Sequence, residues 1–144
     1  MPVYHGDQPK LFSAAIESIL QNTVKPDQIV LVVDGPIGID LEHVIKKYEN
    51  DLFDIIRISN NQGIVNALNS GLLACKNSLV ARCDSDDENV YNRFELQLME
   101  FAKDPNLSLC GGQIIERSDK KEFQREVPVK KKQIEQRIKL RNPF

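Results

Sequence analysis

Three carboxylates lie within four residues near the middle of the chain, because Asp84, Asp86 and Asp87 follow the apolar stretch 78–81. Carboxylates this close repel one another unless a cation, or a ligand that carries one, is shared between them. In an extended stretch alternate side chains face the same side, so Asp84 and Asp86 face together. A hard ion such as Mg²⁺ or Mn²⁺ takes one or two carboxylates together with phosphates and water. The segment therefore predicts a metal-assisted site that handles phosphates.

Other uses of these acidic residues stay open at this point. A solvated acidic turn needs no ligand, and Asp87 or Glu88 can cap a following helix by accepting from its backbone N–H groups. Asp34 presents a similar choice, because it follows the apolar stretch 28–33 and precedes Gly35. Its carboxylate can accept hydrogen bonds from a ligand, or it can form an Asx turn that ends the strand.

Alternating strand and helix patterns must position these acids. Strands are predicted at 1–4, 28–33, 53–58 and 78–83, with a broken one at 107–115, and helices at 9–22, 41–48, 64–75, 91–102 and 129–140. This alternation indicates an open, mostly parallel α/β sheet, in which ligands bind beyond the carboxyl ends of the strands. Tyr4, Asn61 and the acidic residues all follow predicted strand ends. One crevice is therefore expected to collect them.

Composition limits the classes of protein to consider. The 144 residues are 41% apolar and 28% charged, as in an ordinary globular domain, and no apolar run approaches the roughly 20 residues of a membrane span. Three cysteines without CxxC spacing fit a reducing compartment and hence the cytoplasm. Aromatic residues are not interleaved with basic ones, so no nucleic-acid partner is expected.

The charge is unevenly distributed along the chain. Residues 1–119 hold 10 Lys and Arg against 18 Asp and Glu, whereas residues 120–144 hold 9 against 3. A basic tail of this kind is either a solvated helix face or a surface that contacts anionic lipid or a phosphorylated partner. Peripheral contact with the inner face of a membrane is therefore one expectation for it.

Four motifs in fixed order resemble a known family: MPVYHGDQPKLFSAAIESILQNT, QIVLVVDG, NNQGIVNALNSGL and ARCDSDDENVYNRFELQLMEF. Together, over about residues 1–116, they resemble the nucleotide-sugar-binding part of a family 2 glycosyltransferase with a GT-A fold. The acidic segment is similar to the family's DADDxxxPxR pattern, with Tyr91 where proline is usual. Leu68 stands where many members carry an arginine near the nucleotide. The resemblance implies an open, mostly parallel Rossmann-like sheet flanked by helices, truncated relative to the family.

The resemblance also implies roles for individual residues. The implied substrate-binding residues are Pro2, Tyr4, Asp34, Asn61 and Asp84. Of these, Pro2 and Tyr4 would lie against the nucleotide base, which Asp34 would contact, and Asp84 would lie near the ribose. Asp86 would bind Mn²⁺ or Mg²⁺ and connect it to the diphosphate.

The activity implied is transfer of a sugar, with inversion, from a nucleotide-diphosphate sugar to a polysaccharide or lipid-linked acceptor. The base that activates the acceptor hydroxyl is expected beyond Phe144, so no catalytic residue is assigned within the chain. Residues 1–116 are predicted to be an excised donor-binding core and 117–144 a basic helical segment leading to an acceptor-binding half. Such a piece is expected to be inactive alone.

Two other function classes remain open. A non-catalytic nucleotide- or metal-binding module would bind the same ligands without turnover. A phosphoryl-transfer domain would use an aspartate nucleophile after the first or third strand, whereas the acids here follow the second and fourth predicted strands.

Overall fold

The computed structural model describes residues 1–118 and 121–139, while 119, 120 and 140–144 lie outside the described residues. Two compact units are present, residues 1–96 and residues 97–144. In chain order the elements are β1 (Pro2–Val3), α1 (Pro9–Leu20), β2 (Ile29–Asp34), α2 (Ile39–Tyr48), β3 (Phe53–Ile58), α3 (Ile64–Ala74), α4 (Arg93–Lys103), β4 (Ile114–Ser118), β5 (Lys121–Arg125) and α5 (Lys131–Arg137). The predicted α/β class, with helices flanking a parallel sheet, is confirmed.

The sheet of the first unit has the order β1-β2-β3, and both of its pairings are parallel. Every residue of the central strand β2 is buried, because helices cover both faces of the sheet. Leu31 and Val33 belong to a cluster that includes residues of α1 and α2, whereas Val30 and Val32 pack with Ala67 of α3 on the other face. This continuous apolar strand is what the sequence predicts at 28–33.

Small residues let α3 approach the sheet closely, as its sequence predicts. Ala67 and Gly71 are its buried residues. A Cβ atom built on Gly71 would lie 3.0 Å from Cγ2 of Val32, so the helix rests almost directly on the strand. Because α3 begins just after the loop that follows β3, this contact also fixes where that loop can lie.

The predicted fourth strand at 78–83 is wrong, since residues 79–84 have no regular secondary structure. The segment lies beside β1, with Cys83 buried in the same apolar cluster as Val3. The free edge of β1 offers little to a strand: Pro2 has no N–H group, and the Tyr4 N–H donates to Oδ2 of Asp7 at 3.0 Å. The segment that carries the acidic residues must therefore be held in another way.

The second unit contains the antiparallel pair β4 and β5 and the short helix α5. The predicted strand at 107–115 is only partly present, because β4 begins at Ile114 and residues 107–113 are not in a strand. Within 117–144, the stretch predicted to be basic and helical, the structure has the strand β5 as well as α5, and 119, 120 and 140–144 are not described. None of the helices in the described part of the chain has the length and apolar character needed to cross a membrane.

Candidate functional site

A cleft of about 440 Å³ opens at the carboxyl ends of the strands in the first unit. The six residues predicted to bind substrate or metal all line it: Pro2, Tyr4, Asp34, Asn61, Asp84 and Asp86. They come from the ends of β1 and β2, from the loop after β3 and from the irregular acidic segment. The structure therefore brings together residues that are up to 84 positions apart in the sequence.

Asp34 ties the end of β2 to the loop that follows β3. Its carboxylate is buried, and its two oxygens accept backbone hydrogen bonds from Gln62 at 2.8 Å and Gly63 at 2.9 Å. This cross-loop contact differs from the Asx turn considered above, in which an aspartate bonds to residues just after it. Each oxygen of an ionised carboxylate has a further lone pair, so Asp34 can still accept a hydrogen bond from a ligand.

Gly35 allows the same two loops to meet. Its φ is +86°, and a Cβ atom there would lie 2.6 Å from the backbone nitrogen of Asn61. Gly63 has nearly the same φ of +85°, but a Cβ atom there would meet open space. The two glycines therefore separate the cost of the backbone conformation from the cost of a steric clash.

Gly35→Ala is expected to lower the free energy of unfolding by about 2–3 kcal/mol, because it adds a backbone clash to an unfavourable φ. Gly63→Ala is the matched variant and is expected to cost about 1–2 kcal/mol, since its φ of +85° and ψ of 164° are strained for alanine but no clash is added. Urea denaturation of the two variants measures the difference. Equal losses for both would show that the loops separate freely and that the close approach at Gly35 is unimportant.

Asp84 is paired with Arg82 at the mouth of the cleft. Nε of Arg82 donates to Oδ1 at 3.1 Å, and Nη2 donates to Oδ1 at 3.0 Å and to Oδ2 at 2.9 Å. Both side chains remain partly exposed. The forked geometry fixes the orientation of both groups without removing them from solvent.

Asp86 differs from the other two acids of the cleft. Its side chain is exposed, and the part of the chain that the structure describes supplies its carboxylate with neither a hydrogen bond nor an ion pair. No group of three or more His, Cys, Asp or Glu residues within 1–118 and 121–139 is arranged to enclose a metal ion. An ion here would take only one or two protein carboxylates, which is how Mg²⁺ binds beside phosphates, so the residues present fit that kind of site.

Asp87 is adjacent to these acids but does not line the cleft. Partial desolvation of its carboxyl group raises the pKa of Asp87 above its ordinary value, and the negative charges of Asp86 and Asp84 raise it further. The side chain is nevertheless exposed to solvent. The repulsion expected from the sequence is therefore present and acts on an acid that does not line the cleft.

Asp7 is a cleft residue that sequence reasoning missed. Its Oδ2 accepts the Tyr4 N–H at 3.0 Å and the Ser85 hydroxyl at 2.9 Å, so it joins the loop after β1 to the acidic turn. Ser85 is buried although it lies between the partly exposed Asp84 and the exposed Asp86. The turn sequence around Asp7 carried no signal of this contact, because its partner is 78 residues away.

Asn22, at the end of α1, holds the segment that follows the acidic residues. It is fully buried, and its Nδ2 donates to the carbonyl oxygens of Ser18 at 3.1 Å and Val90 at 3.2 Å. Its Oδ1 accepts the backbone N–H of Phe94 at 3.1 Å, in the first turn of α4. The helix begins at Arg93 and not at 91, so the prediction that Asp87 or Glu88 caps it is not supported: the side chain of Asn22, just after α1, accepts the N–H from its first turn.

Arg93 donates hydrogen bonds to residues on both sides of the acidic turn 84–87. Its Nη2 donates to the carbonyl oxygen of Arg82 at 3.0 Å, and its Nη1 donates to Oδ1 of Asn89. Asn89 in turn bonds to Ser18 of α1 through its backbone N–H at 2.9 Å and its Nδ2 at 3.1 Å. Side-chain hydrogen bonds therefore position Asp84 and Asp86 where a strand was expected to do so.

Comparison with known proteins identifies the family of the chain. The sequence matches Glycosyl transferase family 2 over residues 1–144. It is 35% identical over 144 residues to the amylovoran biosynthesis glycosyltransferase AmsE of Erwinia amylovora. The matched region covers 99% of this chain and 54% of that protein. It is 36% identical over 117 residues to the UDP-Gal:alpha-D-GlcNAc-diphosphoundecaprenol beta-1,3-galactosyltransferase of Escherichia coli. That match covers 81% of this chain and 42% of the relative.

An uncharacterized glycosyltransferase of Haemophilus influenzae is 38% identical over 117 residues, covering 81% of this chain and 44% of that protein. The chain thus spans about half the length of these relatives. The family match covers the whole chain, including every residue that lines the cleft. The chain belongs to glycosyltransferase family 2.

Proposed function

We propose that the protein binds a nucleotide-diphosphate sugar in the cleft and serves as the donor-binding part of an inverting, metal-dependent glycosyltransferase. One observation carries the proposal: the six residues expected to contact a nucleotide, a ribose or a metal come from four separate segments and line a single cleft of about 440 Å³. That volume lies within the range of small-molecule sites.

The cleft residues suggest how the donor is arranged. Tyr4 has a half-exposed ring at the rim and Asp34 a buried carboxylate, which suits a base that stacks on one and donates an N–H to the other. Asp84 has an oriented carboxylate for ribose hydroxyl groups. Asp86 has a carboxylate available for Mn²⁺ or Mg²⁺, which would neutralise the charge on the departing nucleoside diphosphate.

The acceptor is proposed to be a polysaccharide or a lipid-linked glycan. The Escherichia coli relative is named for a diphosphoundecaprenol-linked acceptor, and the Erwinia amylovora relative for the synthesis of amylovoran. A lipid-linked acceptor would place the reaction in the cytoplasm at the inner face of the membrane, where the basic residues of 120–144 could meet anionic lipid. The base that activates the acceptor is proposed to lie outside these 144 residues.

Calorimetric titration with UDP-, GDP- and dTDP-sugars, each with and without Mn²⁺, tests donor binding. At least one of the three sugars is expected to give heat that depends on the metal, because the diphosphate oxygens complete the coordination of the cation. Sugar transfer by the protein alone is expected to be absent. Absence of metal-dependent heat with all three donors would contradict the proposal, and transfer by the protein alone would contradict the placement of the base.

A further inference from the structure

We propose that Arg82 binds the diphosphate of the donor and makes the cleft selective for nucleoside diphosphates over nucleosides. The inference deepens the proposed function and rests on it. It concerns a residue that sequence reasoning left without a role. Three features of the molecule support this role: the charge of the cleft, the geometry of the guanidinium group and the backbone contact that holds it.

The charge of the cleft is strongly unbalanced. Its described lining includes four carboxylates, from Asp7, Asp34, Asp84 and Asp86, against a single cationic side chain, that of Arg82. A diphosphate adds further negative charge, and one divalent ion at Asp86 offsets only part of the total. The helix that borders the cleft, α3, contributes only the apolar residues Ile64 and Ala67 to the lining. Any further cationic contact from the described lining must therefore come from Arg82.

The guanidinium group of Arg82 has N–H donors that Asp84 does not use. Nε and Nη2 donate to Asp84, whereas Nη1 donates to none of the residues that the structure describes. A guanidinium group has five N–H donors in a planar fork, so one edge can hold a carboxylate while another holds a phosphate oxygen. The side chain is 54% exposed and lines the cleft, so a ligand bound there can contact it.

The position of Arg82 is set before any ligand arrives. Its carbonyl oxygen accepts the hydrogen bond from Arg93 at 3.0 Å, and its side chain is oriented by Asp84. A donor group that is already oriented loses less conformational entropy when it binds, which favours a strong contact. The pair of Arg82 and Asp84 thus presents a cation for phosphate and an anion for ribose from one short segment.

Arg82→Gln is expected to weaken binding of the nucleoside diphosphate by about 10- to 100-fold, the range expected for a lost charge-assisted hydrogen bond. The probe is whichever of UDP, GDP and dTDP binds the unmodified protein most tightly at saturating Mn²⁺, compared with its own nucleoside in a competition titration. Binding of the nucleoside is expected to change by no more than about threefold, a loss typical of a screened charge. Arg82→Lys is expected to retain part of the affinity for the diphosphate.

Arg57→Gln is the matched control, because Arg57 forms a comparable forked pair with Glu42 at 2.7 and 2.8 Å and is 51% exposed, but it does not line the cleft. This variant is expected to bind both ligands as the unmodified protein does. Thermal denaturation checks that each variant is folded, and if Arg82→Gln is not folded, the selectivity of Arg82→Lys decides.

The outcomes separate the two proposals. Equal losses for the diphosphate and the nucleoside would show that Arg82 only orients Asp84, and an unchanged affinity for the diphosphate would show that it makes no contact. Either result overturns this inference while leaving the proposed function intact. If the unmodified protein binds none of the three diphosphates, the proposed function and the inference both fail.

Discussion

Asn22→Leu is expected to lower the free energy of unfolding by about 3–5 kcal/mol, since it leaves buried backbone groups without partners. The carbonyl of Ser18 and the N–H of Phe94 each depend on the Asn22 amide in the structure, whereas the carbonyl of Val90 also accepts a bond from Arg93 at 3.0 Å. Leucine has a similar size and supplies no polar group. A loss of this size is a large part of the stability of an ordinary domain.

Urea denaturation measures this loss, and Asn69→Leu provides the control. Asn69 lies on α3 with an exposed side chain, so its replacement is expected to change the free energy of unfolding by less than about 0.5 kcal/mol. Amide hydrogen exchange adds a local measurement: the N–H of Phe94 is expected to lose protection in Asn22→Leu before the amides of β2 do. Equal stability of the two variants would mean that water replaces the amide and that Asn22 does not hold the acidic segment.

Asp86→Asn is expected to weaken Mn²⁺-dependent binding of a nucleoside diphosphate by more than about 100-fold. Loss of residues that merely support a metal ligand already costs roughly 10- to 100-fold in metal affinity, and an amide is a much poorer ligand for a hard ion than a carboxylate. Stability is expected to be unchanged, because the structure assigns the Asp86 carboxylate no hydrogen bond within the described residues. Calorimetry at several Mn²⁺ concentrations measures the effect.

Asp87→Asn distinguishes ligation from a general loss of negative charge. It removes the same charge one residue away, from a side chain that does not line the cleft. Its effect on binding is expected to be at most about fivefold, the size of a screened surface charge. If the two variants lost affinity equally, Asp86 would contribute only to the local field, and the assignment of a specific metal ligand would be wrong.

The parts of the fold that follow from local periodicity were predicted well from the sequence. The strand at 53–58 is confirmed at both ends, and α1, α2 and α3 lie close to their predicted positions. Part of the candidate cleft also followed from the sequence, because Tyr4, Asp34 and Asn61 lie at or just after the carboxyl ends of parallel strands, which meet at one edge.

The rest depended on contacts that no local pattern reveals. A strand was predicted at 78–83 because the stretch is apolar, yet strand formation also needs a partner edge, and Pro2 and Tyr4 leave β1 with few free groups. The bonds that join Asn22 to Val90 and Phe94, and Asp7 to Ser85, span 68 to 78 residues. The strand β5 was missed because residues 117–144 were predicted to form a basic helical segment.

The way in which the acidic segment is held has a consequence for its motion. A strand inside a sheet can separate only when its ladder of backbone bonds breaks. The segment from Arg82 to Arg93 is joined to α1 and the two residues after Gln21 by a few side-chain bonds and one backbone bond, from the Thr23 N–H to the Tyr91 carbonyl at 2.7 Å. Its opening therefore requires less free energy than unfolding of the sheet. A ligand that binds only the closed arrangement shifts this local equilibrium, so occupancy of the cleft should slow the opening of this segment while β2 and β3 remain as they are.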